Sequence, residues 1–127
     1  MLDNDSGADH VIKAIKSVFK ISINRSHKWT HIYNNLYLVL TPSVHGKDAT
    51  NIEDLFNPDT RSIKINGKSF ECVKGNDSEL TYSKKMFADK IAEMGSSSID
   101  FSLFRPLFDR LSDVIASYNR RRNQAAQ

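Results

Sequence analysis

Leu36-Tyr37-Leu38-Val39-Leu40 is an unbroken apolar run bounded by Asn34-Asn35 and Thr41-Pro42, and it constrains the fold more than any other stretch. A strand with one wet face alternates apolar and polar residues, so a run without polar positions suits a strand covered on both faces, as in a parallel sheet. Parallel neighbours need a crossover connection, usually a helix. The preceding sequence supplies one: Ala8, Val11, Ile12, Ile15, Val18 and Phe19 recur at helical spacing, with Asp9, His10, Lys13 and Lys16 on other faces. This pattern predicts an amphipathic helix over about residues 7–20, with Ser6 or Asp5 placed to cap it. Residues 1–3 are then expected to lie beside 36–40 in one sheet, which makes the fold class α/β.

The rest of the chain reads as smaller elements. Residues 22–28 are polar and loop-like, and an extended segment begins near Trp29. Residues 48–56 suit a short helix carrying Ile52, Leu55 and Phe56 on one side, with Asn57-Pro58 as its terminator. Asn66-Gly67, flanked by Ile63, Ile65, Phe70 and Val73, predicts a β-hairpin. Residues 74–80 form a polar loop, and Ser83 starts a helix that turns Phe87, Ala88 and Ile91 inward until Gly95. After a hinge-like Gly95-Ser96-Ser97-Ser98, a long C-terminal helix shows Phe104, Leu107, Phe108, Leu111, Val114, Ile115 and Tyr118 on one face. Pro106 is tolerated there only in the first turn. That face is either core or the contact of a homodimer. Residues 123–127 are expected to fray.

With 127 residues, 39% of them hydrophobic, the chain suffices for a single domain with a real core and is too short for two. The single cysteine, Cys72, excludes a disulfide framework and a cysteine-based zinc cluster, and it reads as a small buried hydrophobe. The four histidines, His10, His27, His31 and His45, show no zinc-site spacing on a helix; His27 and His31 flank Trp29 and Thr30 in an extended stretch. No apolar run approaches the ~20 residues a bilayer requires, and no signal peptide is evident, so a cytoplasmic location without a membrane partner is expected. Gly-x-Ser-x-Gly and phosphate-loop patterns are lacking, and Gly67-Lys68 belongs to the turn. The net charge of +3 and pI near 9.0 mildly favour a polyanionic partner. Lys13, Lys16 and Lys20 share one side of the first helix, while Arg120, Arg121 and Arg122 stand near the end of the last one. Arginines there also complement the helix dipole.

Leu2-Asp3-Asn4-Asp5-Ser6-Gly7 carries the chemistry. Side chains at i and i+2 of an extended segment share a face, so Asp3 and Asp5 are expected side by side at its carboxyl end, where open α/β sheets bind ligands. Two carboxylates suit Mg²⁺, which keeps several waters and accepts phosphate oxygens in the remaining positions. Asp, Asn, Ser and Gly are equally the residues of turns and caps. Asp9, one turn into the helix, is a candidate for a second metal, although a first-turn Asp also answers the helix dipole.

These residues, with Asn34-Asn35-Leu36-Tyr37-Leu38-Val39-Leu40-Thr41-Pro42, Ile52-Glu53-Asp54-Leu55-Phe56, Gly67-Lys68-Ser69-Phe70 and the stretch 101–111 with its Arg105-Pro106-Leu107, resemble the C-terminal extension of bacterial retron-type reverse transcriptases over nearly the whole chain. The resemblance implies a small, truncated Toprim-like sheet flanked by helices, the metal-binding fold of topoisomerases, primases and some nucleases. Its signature is a Glu after one strand and an Asp-x-Asp after a later one, jointly binding Mg²⁺; Asp3 and Asp5 match the second part. The Glu-bearing strand and a polymerase Tyr-x-Asp-Asp motif are not found in these residues, so the chain is expected to be part of a larger RNA-directed DNA polymerase. Glu53, in a predicted helix, and Glu71, in the hairpin, are poor substitutes for the missing Glu. The resemblance further implies an upstream reverse transcriptase domain as a partner within the same protein, DNA or RNA as ligand, and a setting in antiviral defence.

Lys84 and Lys85, which open the helix after the hairpin, are candidates to neutralise a scissile phosphate as it gains charge, Lys84 foremost. Without the Glu, the domain is also readable as a non-catalytic platform for nucleic acid or a protein partner. Basic helix faces with Trp29, Tyr33 and Tyr37 would then contact a single strand, although Trp29 and Tyr37 equally suit a core.

Overall fold

The computed structural model describes residues 1–44, 46–47, 49–71 and 79–125. They form two compact units, one made of Met1–Ile52 with Phe104–Gln127 and the other of Glu53–Leu103. The stretch 95–98 thus falls inside the second unit, and the changes of unit follow Ile52 and Leu103.

In the first unit, residues 2–4 form an extended segment bonded on both edges. The Leu2 amide donates to the Val39 carbonyl (3.0 Å) and the Thr41 amide to the Leu2 carbonyl (2.9 Å), a parallel bridge between Leu2 and Leu40. On the other edge, Asn4 and Thr50 exchange amide-to-carbonyl bonds of 2.8 and 2.9 Å in antiparallel sense. The expected parallel neighbourhood is therefore present, at 39–41. The apolar run itself divides into two roles. Its first half, β2 (Leu36–Leu38), pairs antiparallel with β1 (Thr30–Tyr33), so that Thr30 faces Leu38 and His31 faces Tyr37. Coverage on both faces begins only at Leu38, since Leu36 is exposed while Leu38, Val39 and Leu40 are buried. Asn34, at φ +46°, makes the hairpin turn, a conformation that Asn tolerates better than most residues.

The connecting helix α1 (Ala8–Phe19) packs Ala8 into a core with Ile32, Leu38 and Leu40, joined by Leu2, Ile12, Ile15, Ile21 and Ile23. Val11, Val18 and Phe19 are exposed, so the apolar stripe is wider than the face that this core covers. Phe19 stacks on Tyr33 at 6.0 Å. Gly7 occupies the N-cap position without a side-chain cap, and Lys20 ends the helix in the left-handed region, its amide donating to the Lys16 carbonyl. Helix α4, Arg105–Ala125 by its full span, has Pro106 in its first turn, as expected. It buries Leu107 and Ser117 and leaves Phe108 and Ile115 exposed, which narrows the predicted core face. Arg110 Nη1 donates to the Leu40 carbonyl at 2.7 Å, a tie from α4 to the same segment that carries Leu2. Burial lowers the affinity of Arg110 for its proton, from a value so high that it stays a cation.

The second unit opens within a 3₁₀ turn, Ile52–Leu55, which replaces the helix expected over 48–56; Asp48 lies outside the described residues. Asn57 caps a new helix rather than ending one. Its side chain accepts from the Thr60 amide (2.8 Å) ahead of Pro58 in α2 (Pro58–Arg61), a position where proline's missing amide costs nothing. Asn66 and Gly67, both at positive φ, make a tight turn across which Ile65 and Lys68 exchange two 3.0 Å bonds. The predicted hairpin stops at that pair: β3 (Ser69–Phe70) runs parallel to β4 (Thr81–Tyr82). Val73 and Cys72, the loop residues 74–78, and His45 in the first unit lie outside the described residues. Helix α3 (Lys84–Glu93) buries Phe87 while Ala88 is exposed, against expectation, and the chain leaves it at Gly95, φ +41°. Phe87 anchors a ring cluster with Phe70 (4.3 Å) and Phe56 (5.3 Å), which extends from Phe70 to Tyr82 (5.7 Å) and from Phe56 to Phe101 (5.9 Å). Among the described residues, no helix is long and apolar enough to cross a membrane.

Candidate functional site

Asp3 and Asp5 stand where the extended segment 2–4 passes into the turn before α1. Asp3 Oδ1 accepts from the Ile52 amide at 2.9 Å, with the Thr41 hydroxyl at 3.5 Å. Asp5 Oδ1 accepts from the Gly7 amide at 2.8 Å, the Asx turn that brings the chain into α1 in place of the predicted cap. A Cβ at position 7 would sit 3.0 Å from that same oxygen, so a side chain there would make the Asp5 carboxylate shift.

Arg25, from the polar loop after α1, binds this turn. Its Nη1 donates to Asn4 Oδ1 (2.8 Å), and its Nη2 donates to the Asp5 carbonyl (3.1 Å) and pairs with the Asp9 carboxylate. Asp9, a candidate for a second metal, thus already faces a positive charge. Nothing in the sequence marks Arg25, because a loop arginine twenty residues away in the chain carries no periodic or motif signal. The surroundings form an open depression of about 370 Å³ lined by Asn4, Asp5, Asp9 and Arg25 among others.

The donor chemistry suits Mg²⁺, which takes one or two carboxylates from a protein. Each carboxylate has one oxygen held by a backbone amide, the kind of support that orients metal ligands. Among the described residues, no group of three or more His, Cys, Asp or Glu side chains is gathered for a metal.

Lys84 belongs to the second unit, where its Nζ lies 2.9 Å from Glu53 Oε2. Glu53 is only 12% exposed at its side chain, so the lysine compensates a nearly buried carboxylate. Lys85 pairs with Asp89 one turn on at 2.6 Å, and the hydrogen bond to that carboxylate raises its pKa. Glu71, the other acidic substitute, is exposed just past β3.

The basic candidates are all at the surface: Lys13, Lys16 and Lys20 on or just after α1, and Arg120, Arg121 and Arg122 on α4. Arg121 reaches a side chain of another element, with Nη1 2.9 Å from His31 Nδ1. Trp29 and Tyr37 are half-buried, ring on ring at 5.6 Å, and Tyr33 is exposed. No family model matches this chain, and no solved structure matches it.

Proposed function

We propose that this α/β chain is the C-terminal accessory domain of a retron-type reverse transcriptase, that it acts in the cytoplasm beside the polymerase domain, and that it resembles a Mg²⁺-dependent, Toprim-like domain that cleaves nucleic acid. The observation that carries this reading is the order of elements around Asp3 and Asp5: an extended segment ending in the acidic pair, a helix, and a parallel neighbour at 39–41. That order places acidic oxygens at the carboxyl end of a sheet segment, next to a helix N-terminus that favours phosphate.

Asp3 and Asp5 would hold the ion, which when bound would neutralise phosphate oxygens and lower the pKa of a bound water. The chain's own part is to position: Ile52 and Gly7 amides fix the two carboxylates, and Arg25 ties the turn to the loop after α1. Replacing Asp3 and Asp5 by Ala in the intact reverse transcriptase is expected to abolish metal-dependent cleavage of a labelled strand. Retained cleavage discards the assignment.

A second reading, binding without cleavage, is favoured by the engagement of Asp9 with Arg25, which sets a cation against one of the candidate metal carboxylates. A salt-dependent shift of a labelled single strand that persists in chelator supports it.

A further inference from the structure

Near its C-terminal end, α4 lines an open groove together with the turn between β1 and β2. The groove encloses about 770 Å³, and its wall includes His31, Asn34, Asn35, Tyr118, Arg121 and Arg122. Tyr118 lies three and four residues before the arginines, so helical spacing puts the ring and both guanidinium groups on neighbouring positions of one face. Arg121 is set in place by the hairpin. Its Nη1 is 2.9 Å from His31 Nδ1 and 3.2 Å from Nε2; since the Nε2 hydrogen is donated to the Asn34 carbonyl at 2.9 Å, Nδ1 is the acceptor. Arg122 makes no hydrogen bond or ion pair with the described residues.

A second depression shares Asn35 and Tyr118 with the first and continues over Tyr37, Val114 and Ile115. The Tyr37 hydroxyl is buried and has no hydrogen-bond partner among the described residues. The surface thus joins guanidinium donors that match phosphate oxygens, an exposed tyrosine ring, carboxamides that can read base edges, and an apolar floor at Val114 and Ile115. Bound anions alone would need only the cations. A buried small molecule would need a closed cavity, and this groove lies open along its length.

We infer that this groove binds single-stranded nucleic acid, with Arg121 and Arg122 on phosphates and a base stacked on Tyr118. The site contains none of the acidic residues assigned to Mg²⁺, so it stands or falls separately from the cleavage reading.

The test is fluorescence anisotropy of the full chain with labelled oligothymidylate and oligouridylate, in chelator throughout. Arg122→Ala is expected to weaken binding about tenfold and to reduce the salt slope by about 0.7, the loss of one phosphate contact to a single strand. Tyr118→Leu, which keeps an apolar side chain without the flat ring, is expected to cost about tenfold, within the range for one lost base stack. Arg105→Ala, at the other end of α4, is expected to bind within about twofold of the parent chain, as an isolated surface charge would. Affinity for either probe with this pattern supports the groove. It is overturned if neither probe binds without metal, if Arg122→Ala and Tyr118→Leu both bind like the parent chain, or if Arg105→Ala loses as much. Arg122→Ala removes no bond among the described residues, so an unchanged melting temperature shows that its loss acts on the strand rather than on the fold.

Discussion

Removal of Arg25 tests how the acidic turn is held. In Arg25→Ala three contacts disappear, and they are unequal. The ion pair with Asp9 joins side chains that are 36% and 52% exposed, so screening limits it to about 0.5 kcal/mol. The Asp5 carbonyl borders an open depression where water can replace the lost donor, at about 0.5 kcal/mol. Asn4 is 7% exposed, and its side-chain oxygen loses a charged donor, at about 1.5 kcal/mol. The total is about 2.5 kcal/mol. With an unfolding entropy of about 2.1 cal/mol/K per residue, this is a fall in melting temperature of about 9 °C for a chain of 127 residues. Differential scanning calorimetry of the single variants Arg25→Ala, Asn4→Ala and Asp9→Asn, and of the two doubles that contain Arg25→Ala, separates the terms. Coupling to Asn4 is expected to exceed coupling to Asp9 by about 1 kcal/mol. A drop of less than about 3 °C, or coupling carried chiefly by Asp9, refutes the reasoning that burial rather than charge pairing sets the value of this contact.

The remaining predictions concern the second unit. Tyr82, 1% exposed, donates its hydroxyl to the Ile63 carbonyl at 2.6 Å, so Tyr82→Phe is expected to cost about 1 kcal/mol by denaturant titration at neutral pH. Burial raises the Tyr82 pKa above its usual value of 10.0, so the unfolded chain loses the proton first as pH rises. The stability from this group is complete below pH 10 and is lost as pH climbs from there through the folded value; Tyr82→Phe should flatten the alkaline limb, and an unchanged limb would count against this origin. Lys84→Met leaves the Glu53 carboxylate, 12% exposed, without its 2.9 Å partner, and should lower stability by about 2 kcal/mol. Glu53→Gln in that background should recover part of the loss; if it does not, the pair is not what holds Lys84.

Local patterns were legible wherever a residue's role depends on its immediate neighbours. The span of α1 follows from apolar spacing, the turn at Asn66-Gly67 from the tolerance of those residues for positive φ, and the first-turn place of Pro106 from its missing amide. The α/β class followed as well, because an amphipathic helix between two apolar segments has few other ways to bury both. What periodicity cannot state is how much of an apolar stripe finds a partner. Val11 and Val18 on α1 and Phe108 and Ile115 on α4 fit the pattern as well as their buried neighbours do, yet remain exposed.

The candidate site shows the same division. Asp3 and Asp5 stand out in the sequence because their i, i+2 spacing in an extended segment ahead of a helix sets two carboxylates on one face. Which of their oxygens are engaged depends on Ile52, far along the chain, and on Gly7 beside them. Arg25 beside Asp9, and His31 beneath Arg121, bring together residues 16 and 90 positions apart, and no local signal announces either pairing. By itself the sequence settled where α1, α3 and α4 lie and which residues have the chemistry to bind; packing decided how the shorter segments at 52–61 and 69–82 fold and which charges meet, because a hydrogen bond depends on distances in space that chain spacing does not encode.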